Sequence, residues 1–123
     1  MRFIVVFVAS LLLASPVVGE DYEKGPNGGP MADVAGIDAE LVTSGSKVII
    51  NVFDADKPTP RPTKGYTAAV LIVSGGGRET VTLAPSGDSS LTGDAKTVIA
   101  SDATVTLTIR TTEGKSGQVK FRK

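Results

Sequence analysis

The chain has 123 residues with 13 basic and 13 acidic side chains, and it contains no cysteine, histidine or tryptophan. Disulfide frameworks, Cys/His zinc sites and catalytic sets that need an imidazole base are therefore excluded. A formal charge of zero also argues against a nucleic-acid-binding protein, which normally carries a basic surplus. The length fits one small domain.

The N-terminus has the order of a secretory signal. Arg2 precedes an apolar run, Phe3–Ala14, which Pro16 ends. We predict a signal peptide over residues 1–19 and a periplasmic or secreted protein. The apolar run is shorter than the roughly 20 residues of a spanning helix, so we expect no membrane span after cleavage. An uncleaved anchor is the alternative interpretation.

The rest of the chain has the pattern of an all-β protein. Residues 20–30 hold three glycines and two prolines, which predict a flexible lead segment. Residues 31–123 show short alternating runs separated by turn residues and no sustained helical period, which favours an immunoglobulin-like antiparallel β-sandwich of about seven short strands. The predicted strands are Ile37–Thr43, Lys47–Asp54, Tyr66–Val73, Arg78–Ala84, Thr104–Thr111 and Gly117–Arg122, with weaker candidates at Leu91 and Lys96–Ala100.

Two of these strands, Lys47–Asp54 and Tyr66–Val73, are apolar on both faces. Antiparallel strands usually keep one face in water, so a doubly apolar strand needs cover. One interpretation is cover from the lead segment or from the proline-rich connection Lys57–Lys64. The other is a partner surface, with an envelope protein or a second copy of the chain as the partner.

No catalytic set is assembled in the sequence. Residues 44–47 read Ser-Gly-Ser-Lys and match the Ser-x-x-Lys motif of penicillin-binding enzymes. This match lies in a predicted hairpin loop and lacks the companion motifs, so we interpret it as a polar turn. Paired carboxylates could support a hydrolase, but nothing selects one pair. We predict no catalytic residue and no cofactor.

Asp54-Ala55-Asp56 places two carboxylates at a strand end, as cation-binding loops often do. An EF-hand would need Gly and Glu where Thr59 and Gly65 stand, so that motif is excluded. A looser oxygen site for a hard cation is one interpretation. Turn chemistry, in which aspartates bond nearby backbone amides, is the other.

Three short segments carry a resemblance to a known family: Gly25–Gly29, Asp38–Val42 and Asp54–Pro58. They resemble small exported bacterial proteins that are similar to domains associated with periplasmic heavy-metal efflux. The likeness continues through Ser74–Thr82 and residues 91–93 to the C-terminal Gly-x-Val-x-Phe ending. The resemblance implies export, a β-sandwich and a link to metal handling.

Histidines of the family pattern are missing here. The three positions where such relatives carry His hold Asn27, Asp38 and Ala55. The resemblance therefore implies that binding of borderline metals through imidazole is lost or weakened. The surviving oxygen ligands are Asp38, Glu40, Asp54 and Asp56.

The function that the sequence favours is a non-enzymatic, exported binding or interaction module of the bacterial cell envelope. The alternative is an accessory protein of periplasmic metal handling, with a weak cation site made of the four carboxylates.

Overall fold

A computed structural model describes residues 23–57 and 59–122. This part of the chain forms nine β-strands and contains no helix that could cross a membrane. The predicted signal peptide, residues 1–19, lies outside the described residues. The strands are β1 (Glu23–Lys24), β2 (Pro30–Val34), β3 (Ile37–Ser44), β4 (Lys47–Asp54), β5 (Thr67–Ser74), β6 (Gly77–Ser86), β7 (Ser90–Asp94), β8 (Thr104–Arg110) and β9 (Ser116–Arg122).

All nine strands belong to one antiparallel sheet in the order β1-β2-β3-β4-β7-β6-β5-β8-β9, which curls into a half-barrel. The prediction of an all-β fold is confirmed. Strand β6 joins the two halves of the sheet, because residues 77–83 pair with β5 whereas Ala84–Ser86 pair with β7.

Alternation in the sequence decides which side chains enter the core. In β8, Val105, Leu107 and Ile109 are buried, whereas the threonines between them lie on the outer side. The tight turn between β3 and β4 falls at Gly45, whose φ of 62° costs a glycine little. The predicted hairpin is therefore present with nearly the predicted bounds.

The core fills the inside of the curled sheet. Its largest fully buried side chains include Phe121, Ile37, Leu41, Ile50, Leu91 and Leu107. Strand β9 comes close to β2 at Gly117, where an added Cβ would lie 2.9 Å from Val34 Cγ2. A residue without a side chain at this position allows the two ends of the sheet to approach each other around the core.

The structure differs from the predicted elements at three places. Residues 96–100 form no strand, although Ile99 is buried and its amide donates to Gly45 O at 3.0 Å. Strand β6 extends to Ser86, beyond its predicted end at Ala84, and the turn follows at Gly87. The lead segment contributes β1 and the start of β2, because the residues between them form a turn that is bonded to β3.

Candidate functional site

Glu40 is fully buried although it lies on the outer side of β3, away from the core. The turn between β1 and β2 covers it and donates to its carboxylate. The backbone amides of Asn27 and Gly29 bond Oε2 at 2.8 and 3.0 Å, and Asn27 Nδ2 bonds Oε1 at 2.9 Å. Asn51 Nδ2 on β4 adds a longer bond of 3.4 Å to Oε1. Bonds to an ionised acceptor are the strong kind, so the carboxylate fastens the turn to the sheet.

Two glycines of this turn are required for different reasons. A Cβ at Gly25 would overlap the Glu40 side chain, so a larger residue would push the turn away. Gly28 takes a φ of 86°, in the left-handed region that favours glycine. Two motifs of the family resemblance thus combine into a structural contact.

Asp38 lies two residues before Glu40 on the same outer side, directly opposite Asp33 of β2. Its Oδ1 atom is buried and has no hydrogen-bond partner. Burial raises the pKa of Asp38 to about 7, and hydrogen bonding to Asp33 and the charges of Asp33, Glu23 and Asp56 add to the rise. Near neutral pH the Asp38 carboxyl group is therefore still partly protonated.

Asp54 is engaged elsewhere, although only one residue separates it from Asp56 in the sequence. Arg61 Nη1 lies 3.3 Å from Asp54 Oδ1, and Arg61 Nη2 lies 3.3 Å from Glu113 Oε2. Tyr66, and then Glu113 and Asp54, raise the pKa of Arg61 above its already high ordinary value. The arginine thus holds the proline-rich connection against the end of β4.

The four predicted oxygen ligands therefore lie in three settings. Glu40 binds the β1–β2 turn, Asp54 pairs with Arg61, and Asp38 faces Asp33 with Asp56 nearby. Within residues 23–57 and 59–122, no three carboxylates converge in a way that could hold a metal ion. Asn27 meets Glu40, whereas Ala55 is an exposed residue of the loop after β4.

The outer side of β1–β4 and β7 is here called the covered face. On β4, Phe53 is only 6 % exposed, and it forms a bridge with Pro60 of the proline-rich connection. The chain itself therefore buries the outer side of β4 at Phe53, whereas Ile49 on the same side is half-buried.

The outer side of β6, β5, β8 and β9 is here called the open face. On β5, Leu71 lies between Thr80 of β6 and Thr106 of β8. Val73 is 40 % exposed, and Thr80 is exposed as well. The outer side of β5, the second doubly apolar strand, is therefore exposed to solvent and is flanked by threonines of β6 and β8.

Asp33, which lies opposite Asp38, is a site residue that the sequence does not predict. It belongs to β2, a strand that was not predicted because its five residues, Pro-Met-Ala-Asp-Val, follow the Gly-rich lead without clear alternation. The doublet Ala35-Gly36, with φ angles of 52° and 79°, is the signal that could have revealed a β2–β3 hairpin.

The chain matches no protein-family model, no curated protein and no solved structure. The resemblance to efflux-associated domains is therefore carried by the short sequence motifs alone, and it stays a prediction.

Proposed function

We propose that the chain is a non-enzymatic, exported interaction module of the bacterial cell envelope, built as an immunoglobulin-like β-sandwich. Export is supported by the signal-like N-terminus. A non-enzymatic role is supported by the lack of any His or Cys and by the absence of an assembled catalytic motif in the sequence.

The strand order supports the immunoglobulin-like proposal. Reading β3 to β9 as strands A to G gives the neighbour order A-B-E-D-C-F-G. In immunoglobulin constant-type domains, A, B, E and D form one sheet and C, F and G form the other. Here β6, in the place of strand D, pairs with strands of both halves.

The observation that carries the interaction role is the exposure of the open face. Val73 is 40 % exposed at the end of a strand whose outer side also carries Ala69 and Leu71. These aliphatic side chains remain accessible to solvent, whereas Phe53 on β4 is buried. Exposed and half-buried aliphatic side chains on one face support an interaction site there.

A single-cysteine probe tests this role, because the chain has no cysteine of its own. A polarity-sensitive dye is attached at T80C on the open face and, as the matched control, at A55C in the exposed loop beside the covered face. Both labelled chains are titrated with envelope membranes and with a membrane-free envelope extract of the source bacterium.

We expect a blue shift of emission at position 80 with at least one of the two fractions, and no shift at position 55. Equal emission shifts at both positions, or no shift at position 80 with either fraction, would contradict the interaction role.

Metal handling is the second candidate function. It is favoured by the buried Asp38 Oδ1, which has no hydrogen-bond partner and lies on the same strand as Glu40. An oxygen of this kind suits a hard cation. Native mass spectrometry of the full chain with calcium, zinc, nickel and copper is the test. A bound ion that is lost in D38N supports this function, whereas no ion at micromolar concentrations contradicts it.

A further inference from the structure

The open face carries a set of cations that only the strand order brings together. Arg78 lies opposite Val73, Arg110 opposite Thr67, and Lys120 opposite Thr106. Arg122, the last residue of β9, lies opposite Thr104 on the same side. The outer positions of residues 77–83, 67–73, 104–110 and 116–122 include no aspartate or glutamate.

Carboxyl groups lie on the opposite side of the molecule. Glu23, Asp33 and Asp56 each act by charge on Asp38 at the covered face. The open face therefore carries cations without carboxylates, although the formal charge of the chain is zero. A face of this kind orients a protein in front of an anionic surface even when its net charge attracts it only weakly.

A shallow depression of about 390 Å³ lies beside Arg110 on the open face, and most of its lining surface is apolar. Its lining includes Arg110 and the hydroxyl-bearing residues Thr67, Thr108 and Ser116. Gln118 Nε2 donates to Thr108 Oγ1 at 3.0 Å, so the Thr108 hydroxyl proton can be donated outward. A guanidinium with neighbouring hydroxyl donors matches the oxygens of a phosphate.

The dimensions of the face favour a planar partner. Six residue steps along β5 span roughly 20 Å, and the three strand spacings from β6 to β9 add roughly 14 Å in the other direction. Arg78 and Arg110 lie near opposite ends of this area, and small aliphatic side chains and threonines occupy its middle. This arrangement resembles a platform with charges at its edge rather than a groove.

We propose that the open face docks on the surface of a lipid bilayer with anionic phospholipid head groups, with one phosphate seated beside Arg110. This inference names the partner of the proposed interaction module and rests on that proposal. Arg and Lys near an anionic membrane each add about fivefold to its affinity.

Other anionic partners match the open face less well. A second copy would offer its covered face, but there Glu40 is buried beneath the β1–β2 turn and the raised pKa of Asp38 reduces its negative charge near neutral pH. A linear polyanion favours a track of cations, whereas Arg78 and Arg110 stand at opposite ends of the platform. Both partners are separate outcomes of the test below.

The experiment measures partitioning of the full chain onto vesicles of phosphatidylcholine with one quarter phosphatidylglycerol. The test variant is R78Q/R110Q/K120Q. The matched control, K24Q/K47Q/K64Q, removes the same number of charges from exposed lysines outside the open face. Pure phosphatidylcholine vesicles measure any contribution of the apolar N-terminus, which all variants share.

We expect binding to the anionic vesicles to fall about 100-fold in the test variant and by less than about threefold in the control. Salt at 0.5 M should weaken wild-type binding strongly. The dye at position 80, but not at position 55, should shift on the anionic vesicles.

Four outcomes would overturn the inference. The first is an equal loss of vesicle binding in the test and control variants, and the second is wild-type binding that is no stronger to anionic than to neutral vesicles. The third is a shift of the dye at position 80 with heparin that is as large as the shift with vesicles. The fourth is a shift that needs no vesicles and grows with protein concentration, which would indicate a second copy. If position 80 is silent on vesicles but responds to the membrane-free extract, the bilayer inference fails and the interaction role stands.

Discussion

Strands β4 and β5 have the same kind of sequence and different surroundings. Both carry apolar residues on their two sides, and both are central in their half of the sheet. The outer side of β4 ends in Phe53, which is 6 % exposed and forms a bridge with Pro60, whereas the outer side of β5 ends in Val73, which is 40 % exposed. A strand that is apolar on both sides thus indicates that its outer side is covered, but it does not show whether the cover belongs to the same chain or to a partner.

The difference comes from the segments beside each strand. The turn before β2 bonds to Glu40 on the outer side of the sheet, and the segment after β4 pairs with β4 beside Phe53. The connection between β5 and β6 is a short glycine turn at residues 75–76, which is too small to cover anything. The covered face is therefore expected to depend on residues that hold the cover in place, and the open face is expected to tolerate substitution.

The largest effect should come from Glu40, which fastens the β1–β2 turn. In E40A the amides of Asn27 and Gly29 lose their acceptor, and we expect the free energy of unfolding to fall by roughly 3–4 kcal/mol. The matched control is E79A, since Glu79 accepts the exposed Lys96 amide and should cost less than about 1 kcal/mol. Urea unfolding measures both, and similar losses in the two variants would contradict the anchoring role.

A smaller loss is expected when the apolar cover of β4 is removed. F53A takes away a side chain that is 6 % exposed, and roughly 2–3 kcal/mol of stability should be lost with it. L71A, the equivalent change on the open face, should cost about 1 kcal/mol because Leu71 is only half-buried. A loss in L71A as large as that in F53A would show that the face we describe as open is covered.

Glycine replacement compares the two turns directly. G25A places a methyl group against the Glu40 side chain, so we expect a loss of about 2 kcal/mol. Gly76, in the β5–β6 turn, has open space around its Cβ position, and G76A should change stability by less than about 0.5 kcal/mol. Thermal unfolding followed by circular dichroism distinguishes these results, and a neutral G25A would mean that the turn is not pressed against Glu40.

A further prediction concerns pH and the pair of opposed aspartates. Because the pKa of Asp38 rises from 3.8 in the unfolded chain to about 7 in the fold, the folded state holds its proton more tightly. This contribution to stability is full below about pH 4, declines as the pH rises towards 7, and is lost above that value.

The variant D38N removes this dependence while keeping the shape of the side chain. We expect its melting temperature to fall less than that of wild type between pH 4 and 7, and to exceed that of wild type at pH 8. D56N, which removes one of the weaker charges acting on Asp38, is the control and should behave almost like wild type. Parallel curves for D38N and wild type would contradict the raised pKa.

Much of the strand pattern could be predicted from the sequence because alternation is a local property. Strand β8 and the β3–β4 hairpin follow directly from side-chain period and a glycine turn. Residues 96–100 were a misleading case, because Ile99 is buried by a loop whose backbone bonds to Gly45 rather than by a strand. Local pattern cannot distinguish these two ways of burying an apolar side chain.

The candidate sites were harder to predict because they join residues that are distant in sequence. Glu40 and Asp38 occupy equivalent outer positions of β3, yet one is buried by a turn that lies 11 to 13 residues earlier in the chain. The cations Arg78 and Arg110 meet on one face only because β5 lies between β6 and β8. A neutral composition gave no indication of this separation of charge.

The pairing of β6 with two different strands affects how the protein unfolds. Its residues 77–83 belong to the ladder with β5 and its last three residues to the ladder with β7, so neither half can release β6 without breaking the pairing of the other. Two halves joined only by loops could open one at a time. Here the covered and open halves share one continuous backbone, and amide hydrogen exchange at buried Val48 and buried Val105 should report a single common opening energy.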